Sequence, residues 1–295
     1  MRRNRIEAMS AAAALTLFLG GATQARAGDP LPQPPNDSGA AAREPADGSA
    51  LAGGGGKDDW RIDFNTWIWL PGIYGDAGVR GRVSDVDASF SDILDASDSL
   101  GAFSARLEFG KGAWGGFVDG WFTKIGADDQ SGKAGLADVD VTFKETILSF
   151  GVMYRVGEWQ PGGSAAENRR NTTLDLYAGG RYTSIDIELD PANLPSESGD
   201  QSWIDPIVGA QLVLPFAERW HFRAIGDVGG FGVGSDFTWS ATGVFGYDFH
   251  LFTLPATVYA GYRGVGWDYS DGSGSDEFTW DIVQHGPIIG FSLKF

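Results

Sequence analysis

The chain has 295 residues with 44 Gly, 13 Pro and no Cys, and aromatic residues make up 13% of it, although its mean hydropathy is only −0.15. So much aromatic surface excludes a disordered chain, and the lack of cysteine excludes a disulfide scaffold or a thiolate metal site. The formal net charge is −17, so we expect no nucleic-acid partner, because phosphate binding needs a basic face.

Residues 1–27 have the three parts of a secretory signal peptide. Three arginines within the first five residues precede an apolar stretch from about Ala8 to Ala22, and residues 25–27 (Ala-Arg-Ala) form a small-x-small cleavage site. We predict cleavage after Ala27, with an N-terminal membrane anchor as the alternative. The exported mature chain then has 18 basic and 38 acidic residues, a net charge of −20.

Residues 28–58 lack any apolar period. They hold five of the 13 prolines and the glycine run Gly53–Gly56. Such a composition is typical of a flexible linker. We therefore predict one folded domain, over residues 59–295.

From Trp60 onward, apolar residues alternate with polar or small ones. In the run Trp60–Leu70 the even positions are mostly apolar, and the odd positions include Arg61 and Asp63. A period of two predicts β-strands. Ten strands are predicted near 60–70, 101–110, 113–126, 139–156, 173–189, 203–216, 219–231, 236–249, 255–268 and 278–295, with eight or twelve as alternatives. Within Pro71–Leu100, Gly78–Phe90 is interpreted as an extra hairpin arm and Ser91–Ala96 as a helical turn.

The strands favour a membrane barrel over a soluble sandwich. Many exceed ten residues, and about 9–11 tilted residues cross a bilayer. Short and long connections alternate, as they do in outer-membrane barrels. Aromatic residues lie near the predicted strand ends, where such barrels carry girdles: Trp60, Trp69, Trp114, Trp203, Trp220, Trp239, Tyr247, Tyr262 and Trp280. The prediction is an all-β fold, a closed antiparallel transmembrane β-barrel with apolar side chains toward lipid and polar side chains in the lumen.

The last strand places Ile289, Phe291, Leu293 and Phe295 on one face. This ending resembles the C-terminal strand of Gram-negative outer-membrane β-barrels, and over about 60–295 the chain is similar to small OmpA/OmpX-like barrels. Trp67–Gly72 and Val86–Asp95 also look like segments of uncharacterised exported barrel proteins. The resemblance implies a monomer in the cell outer membrane, among membrane lipid and lipopolysaccharide. It also implies that the barrel assembly machinery reads Phe291, Leu293 and Phe295 as an assembly signal.

The inward positions carry seven acidic and seven basic residues, with Lys294 among the bases. We therefore expect Arg–carboxylate pairs linked across strands, for which the arginine fork is suited. The predicted lumen charge network is Arg61, Asp63, Arg106, Glu108, Asp119, Glu145, Arg155, Asp175, Arg181, Asp205, Arg223, Asp227 and Arg263. A barrel of about ten strands is close in size to those filled by side chains. Inward Trp67, Trp121, Tyr177 and Tyr259 favour a plugged or very narrow lumen, and an open polar conduit is the alternative.

Catalytic and metal-binding patterns are weak. The histidines are His221, His250 and His285, and no Gly-x-Ser-x-Gly motif surrounds a plausible nucleophile. The acidic run Asp268–Glu277 does not follow the EF-hand order. We predict no enzyme activity, no cofactor and no metal. The favoured function is a non-enzymatic outer-membrane barrel, either structural or with a narrow porin-like passage for small solutes. The alternative is a barrel whose surface loops bind a partner or mediate adhesion. A lipid-modifying hydrolase is less favoured.

Overall fold

The structure is a computed structural model that describes residues 59–79, 81–130, 139–160, 171–191 and 197–295. The predicted signal peptide and linker lie outside the described residues. No helix in the described part of the chain is long and apolar enough to cross a membrane.

The described residues form twelve strands, one α-helix and a 3-10 turn at Gly274–Asp276. The elements in chain order are β1 Trp60–Trp69, β2 Gly72–Val79, β3 Arg82–Ala88, α1 Phe90–Ala96, β4 Ser99–Lys111, β5 Trp114–Gln130, β6 Val139–Trp159, β7 Thr172–Pro191, β8 Glu197–Pro215, β9 Trp220–Gly230, β10 Phe237–Leu251, β11 Leu254–Asp271 and β12 Phe278–Lys294.

Ten of these strands form a closed antiparallel ring. The order around the ring is β1, β4, β5, β6, β7, β8, β9, β10, β11 and β12, and β1 closes it by pairing with both β4 and β12. In the register, Asp63 lies opposite Glu108 on one side and opposite Lys294 on the other. Closure leaves the ring no free sheet edge. The predicted barrel of about ten strands is confirmed.

The remaining strands, β2 and β3, form the predicted hairpin arm. β1 and β2 run in line and both pair with β12, with Leu70 and Pro71 between them. Pro71 has no N–H to give the ladder, whereas Leu70 still donates to the Pro287 carbonyl at 3.1 Å. β3 pairs with β2, so the arm starts at Gly72, six residues before the predicted start.

The helix α1 confirms the predicted helical turn. Ser89 caps its N-terminus in a capping box with Asp92. The hydrogen bonds from the Ser89 side chain and backbone hold the pKa of the Asp92 carboxyl below its usual value. The cap therefore fixes where the chain turns from the arm into β4.

Several strands are longer than predicted. β6 has 21 residues, β7 continues to Pro191, and β8 begins at Glu197 rather than near 203. Residues 197–202, which precede the predicted strand near 203–216, continue the β-ladder with β7. Because backbone pairing does not depend on an apolar face, the strands extend beyond the apolar belt.

The outward face carries a continuous apolar belt. On β6 its members are Leu148, Phe150, Val152 and Tyr154, which are 37–56% exposed. Near the short turns at the end of the barrel where β1 begins, Trp114 packs edge-on against Tyr154, and Trp220 against Tyr247. The outward face has the apolar belt of a transmembrane barrel, whereas the lumen, predicted to be polar, holds both polar and apolar side chains.

Three of the predicted girdle residues are elsewhere. Trp69, Trp203 and Trp280 point into the lumen, where they are only 2%, 6% and 3% exposed. Side chains alternate between faces along a strand, so Trp69 shares the inward face of Trp67, and Trp203 shares that of Asp205. Assigning these tryptophans to the girdle from residue type alone was wrong.

Candidate functional site

The outer half of the lumen, away from the short turns, is filled by apolar side chains that we call the aromatic plug. Its members come from eight of the ten ring strands and are at most 7% exposed; Ile147, Val265 and Ile282 are not exposed at all. The plug consists of Trp67, Trp69, Trp121, Ile147, Ile185, Trp203, Val244, Val265, Trp267, Tyr269, Trp280, Ile282 and Ile288. The described side chains of the plug therefore pack together as an apolar core within the lumen.

Contacts within the plug join strands on opposite sides of the barrel. The Trp267 indole N–H donates to Thr183 Oγ1 at 3.2 Å, from β11 to β7, which is four places away in the ring. Trp203 stacks on Tyr269, with 3.9 Å between ring centroids. These cross-lumen contacts show that the plug is a packed core rather than a lining. The side chains of Trp67 and Trp121, predicted to fill the lumen, belong to it.

The Glu145 carboxylate lies inside the plug. Glu145 is 1% exposed and accepts hydrogen bonds from Gln284 Nε2 at 2.6 Å and Trp121 Nε1 at 3.3 Å. Among the described residues no Lys, Arg or His nitrogen forms an ion pair with it. The sequence predicted Glu145 as a member of the charge network, whereas the structure holds it by two neutral donors from β12 and β5.

Below the plug, toward the short turns, lies a layer of buried charges that we call the charge basin. It consists of Arg106, Glu108, Asp119, Arg223 and Arg263. Arg223 on β9 reaches Glu108 on β4, five places away in the ring. Arg263 donates to Asp119 at 3.3 Å across the lumen, and Arg106 contacts Glu108 at 2.5 Å and Asp119 at 3.4 Å. Two of these pairs, Arg223–Glu108 and Arg263–Asp119, therefore cross the lumen.

Two further pairs lie beside the basin. Arg181, 1% exposed, donates to Asp227 at 2.6 Å and to Thr238 Oγ1 at 3.1 Å, and Tyr177 donates to the same Asp227 carboxylate at 2.9 Å. Arg155 and Asp175 form a bidentate pair with contacts of 2.8 and 3.1 Å. Both arginines thus have local carboxylate partners, independent of the basin.

A cavity of about 380 Å³ lies between the basin and the barrel end with the short turns. Its lining includes the basin, the predicted Arg61 and Asp63 near the opening, and Tyr259, whose ring lies over Gly290. A Cβ on Gly290 would come within 2.4 Å of that ring. Toward the plug the cavity is bordered by Trp67 and Ile288, so among the described residues its open side is the one toward the short turns.

Of the predicted network residues, Glu145, Asp175 and Asp205 do not line the cavity. Asp205 is fully buried, and its carboxylate accepts from the Ser235 backbone N–H at 2.6 Å, the Ser235 hydroxyl at 2.9 Å and the Trp203 indole at 3.1 Å. These bonds hold the β9–β10 loop against β8. Asp205 therefore anchors the β9–β10 loop and belongs to no Arg–carboxylate pair among the described residues.

Sequence reasoning missed the neutral partners of the basin. Gln211 donates to Glu108 at 3.4 Å and accepts from Arg223 at 2.8 Å, and Asn65 accepts from Arg223 at 3.4 Å. A search restricted to ionisable residues could not find them. Their inward parity and their low exposure, 5% for Gln211 and 2% for Asn65, follow from the same alternation that located the arginines.

The three histidines lie in different environments. His221 faces the lumen and contacts the Asp248 carboxylate at 3.2 Å, and Asp248 also accepts from Thr257 at 2.6 Å. His285 lies on the outward face, where Tyr74 stacks on it and Tyr262 contacts its Nδ1 at 2.6 Å. The Thr257 hydroxyl bonds to the acid rather than to the histidine, so this geometry does not present an activated nucleophile. No group of three or more His, Asp or Glu side chains suited to a metal ion occurs in the described ranges.

The residues of the predicted assembly signal lie on the outward face of β12. Phe295 is 62% exposed and closes the pairing with β1 through two backbone hydrogen bonds to Ile62. Phe291 packs near Phe249. Their positions are compatible with recognition from outside the barrel.

No family model and no curated relative matches the chain. Among solved structures, it is similar to the outer membrane protease OmpT from Escherichia coli, with 9% identity, 81% of this chain and 97% of that chain covered, and a TM-score of 0.46. It is also similar to Ail, the attachment invasion locus protein of Yersinia pestis, with 11% identity, 80% and 98% covered, and a TM-score of 0.37. The translocator domain of the autotransporter NalP from Neisseria meningitidis gives 13% identity, 84% and 92% covered, and a TM-score of 0.31. The identification of the barrel rests on the strand pairing described above.

Proposed function

We propose that the protein is a non-enzymatic, structural barrel of the outer membrane whose lumen does not conduct. The apolar belt would contact membrane lipid, and lipopolysaccharide would surround the outer ends of the strands. The chain would act as a monomer, inserted by the barrel assembly machinery through Phe291, Leu293 and Phe295.

The observation that carries the proposal is the aromatic plug. An ion crossing it would have to leave water, and a charge in an apolar medium costs many kcal/mol. The cross-lumen hydrogen bond from Trp267 to Thr183 and that from Gln284 to Glu145 tie opposite walls together through the plug. A porin-like passage would need these contacts to separate.

Single-channel recording in planar lipid bilayers tests the proposal. We expect no steady current from the wild-type protein. Replacing Trp121 and Trp267 by Gly should open a current, whereas replacing the outward-facing Trp114 and Trp220 by Gly should not. Heat-dependent gel mobility would confirm that each variant is folded. A steady, voltage-stable current from the folded wild-type protein would contradict the proposal.

A further inference from the structure

The charge basin contains more positive than negative charge. Among the described residues, the three guanidinium groups of Arg106, Arg223 and Arg263 form their ion pairs with two carboxylates, those of Glu108 and Asp119. One nitrogen of each guanidinium has no hydrogen-bond partner among the described residues: Arg106 Nη2, Arg223 Nε and Arg263 Nε. Arg106 and Arg263 are 5% and 7% exposed, so water cannot solvate this excess freely.

The carboxylates nearest the basin have cations of their own. Asp175 is bonded to Arg155 and Asp227 is bonded to Arg181. The Asp248 carboxylate already accepts from His221 and Thr257. Arg61, Lys294, Asp63 and Glu158 also line the cavity. The excess of positive charge is therefore a property of the basin itself, where three guanidinium groups form ion pairs with two carboxylates.

The wall of the same cavity has an apolar part. Phe117, Tyr177, Ile225 and Val244 line it together with Trp67 of the plug. The Arg106 guanidinium lies over the Phe117 ring at 4.3 Å, which orients the cation toward the aromatic side of the cavity. A volume of about 380 Å³ lies within the range of pockets that hold small organic ligands.

We propose that this cavity is a binding site for a small organic monoanion, a carboxylate with an aromatic or aliphatic body. The carboxylate would bind at the basin, where bidentate contact with a guanidinium is available. The apolar body would lie against the Phe117 and Tyr177 side. Because the plug closes the other end, the ligand would enter and leave from the side of the short turns, and the protein would hold it rather than pass it across.

Calorimetric titration of the folded protein in uncharged detergent tests the site, with benzoate as the probe. Benzyl alcohol has the same ring without the charge, and acetate has the charge without the ring. We expect benzoate to bind about tenfold or more tightly than either, since a hydrogen-bonded charge contributes on that scale. Equal affinity for benzoate and benzyl alcohol would overturn the anion site, and equal affinity for benzoate and acetate would overturn the apolar part.

Three variants test how the net charge of the basin affects benzoate binding, independently of any effect on folding. Arg223→Gln makes the basin neutral and should weaken benzoate binding about tenfold, whereas Glu108→Gln raises its charge and should strengthen binding by a similar factor. The double variant keeps the wild-type net charge and should bind within a few-fold of the wild-type protein. Heat-dependent gel mobility would verify folding of each. A benzoate affinity that is unchanged in both single variants would overturn the proposed site. The proposed non-conducting lumen is tested separately, by the conductance recordings.

Discussion

The position of the apolar belt predicts how strongly an arginine placed on the outward face of the barrel lowers the free energy of unfolding. Val118 lies on the outward face of β5, four residues from Trp114 on one side and four from Phe122 on the other. Its register partner Phe150 is also outward and apolar. We predict that Val118→Arg strongly destabilises the barrel in lipid.

The magnitude follows from the geometry. Four residues at roughly 3.3 Å each, on a strand tilted by about 40°, place Val118 about 10 Å inside each aromatic residue, near the middle of the belt. Arginine at a bilayer midplane costs about 2–4 kcal/mol, and the cost falls to about 0–1 kcal/mol near the interfaces. Leu176 lies opposite Tyr154 of the girdle, so Leu176→Arg should cost less. Ser184, opposite Thr146 and Ser202, lies beyond the belt, and Ser184→Arg should be nearly neutral.

Reversible denaturant unfolding in phospholipid vesicles, followed by tryptophan fluorescence, measures these three free energies. The expected order of destabilisation is Val118→Arg, then Leu176→Arg, then Ser184→Arg. Val118→Leu controls for the changed shape. If the outward face met water instead, all three arginine variants would stay within about 0.5 kcal/mol of the wild-type protein, as ordinary surface substitutions do. That result would refute the assignment of the belt to lipid.

The charge pairs and the final strand lead to further predictions. Arg181→Gln leaves the buried Asp227 carboxylate without its cation, which should lower the free energy of unfolding by about 3–5 kcal/mol; the double variant with Asp227→Asn should recover at least half of the loss, and no recovery would contradict the pair. Phe295→Ala should reduce the folded, heat-shifted fraction in the outer membrane while export continues, and an unchanged fraction would argue against an assembly role. Asp205→Ala should speed hydrogen exchange at the Ser235 backbone amide, while exchange at the Ile147 amide in the plug stays unchanged. Slow exchange at Ser235 in the variant would show that Asp205 does not hold the β9–β10 loop in place.

The fold was largely predictable because lipid-facing and lumen-facing residues alternate along each strand of a membrane barrel. The alternation along Trp60–Leu70 gave the inward side of Arg61 and Asp63, and the same rule gave Arg106, Asp119 and Arg223. The strand ends were less predictable, since acidic segments such as 197–202 keep pairing after the apolar signal has ended. The interruption at Leu70 and Pro71 was visible in sequence, but not that β2 continues along β12.

The interior could be predicted only in part, because the sequence gives the face of a residue and not its partner across the barrel. Arg223 and Glu108 are 115 positions apart in sequence, and no periodicity relates them. The tryptophans show a second limit. Trp69 and Trp114 are both near strand ends, yet one fills the plug and the other lies in the girdle, and only strand parity distinguishes them. Residue type alone misplaced Trp69, Trp203 and Trp280.

The central claim is that apolar side chains face lipid while the lumen is sealed by the plug. Since the chain has no cysteine, single cysteines at positions 147–153 of β6 can each carry a nitroxide spin label in the protein reconstituted into lipid vesicles. The account predicts that labels replacing Leu148, Phe150 and Val152 are accessible to oxygen dissolved in the bilayer. It also predicts that labels replacing Ile147, Ser149 and Met153 are shielded from oxygen. High accessibility of the first set to a water-soluble nickel reagent, with no alternation along the strand, would contradict it.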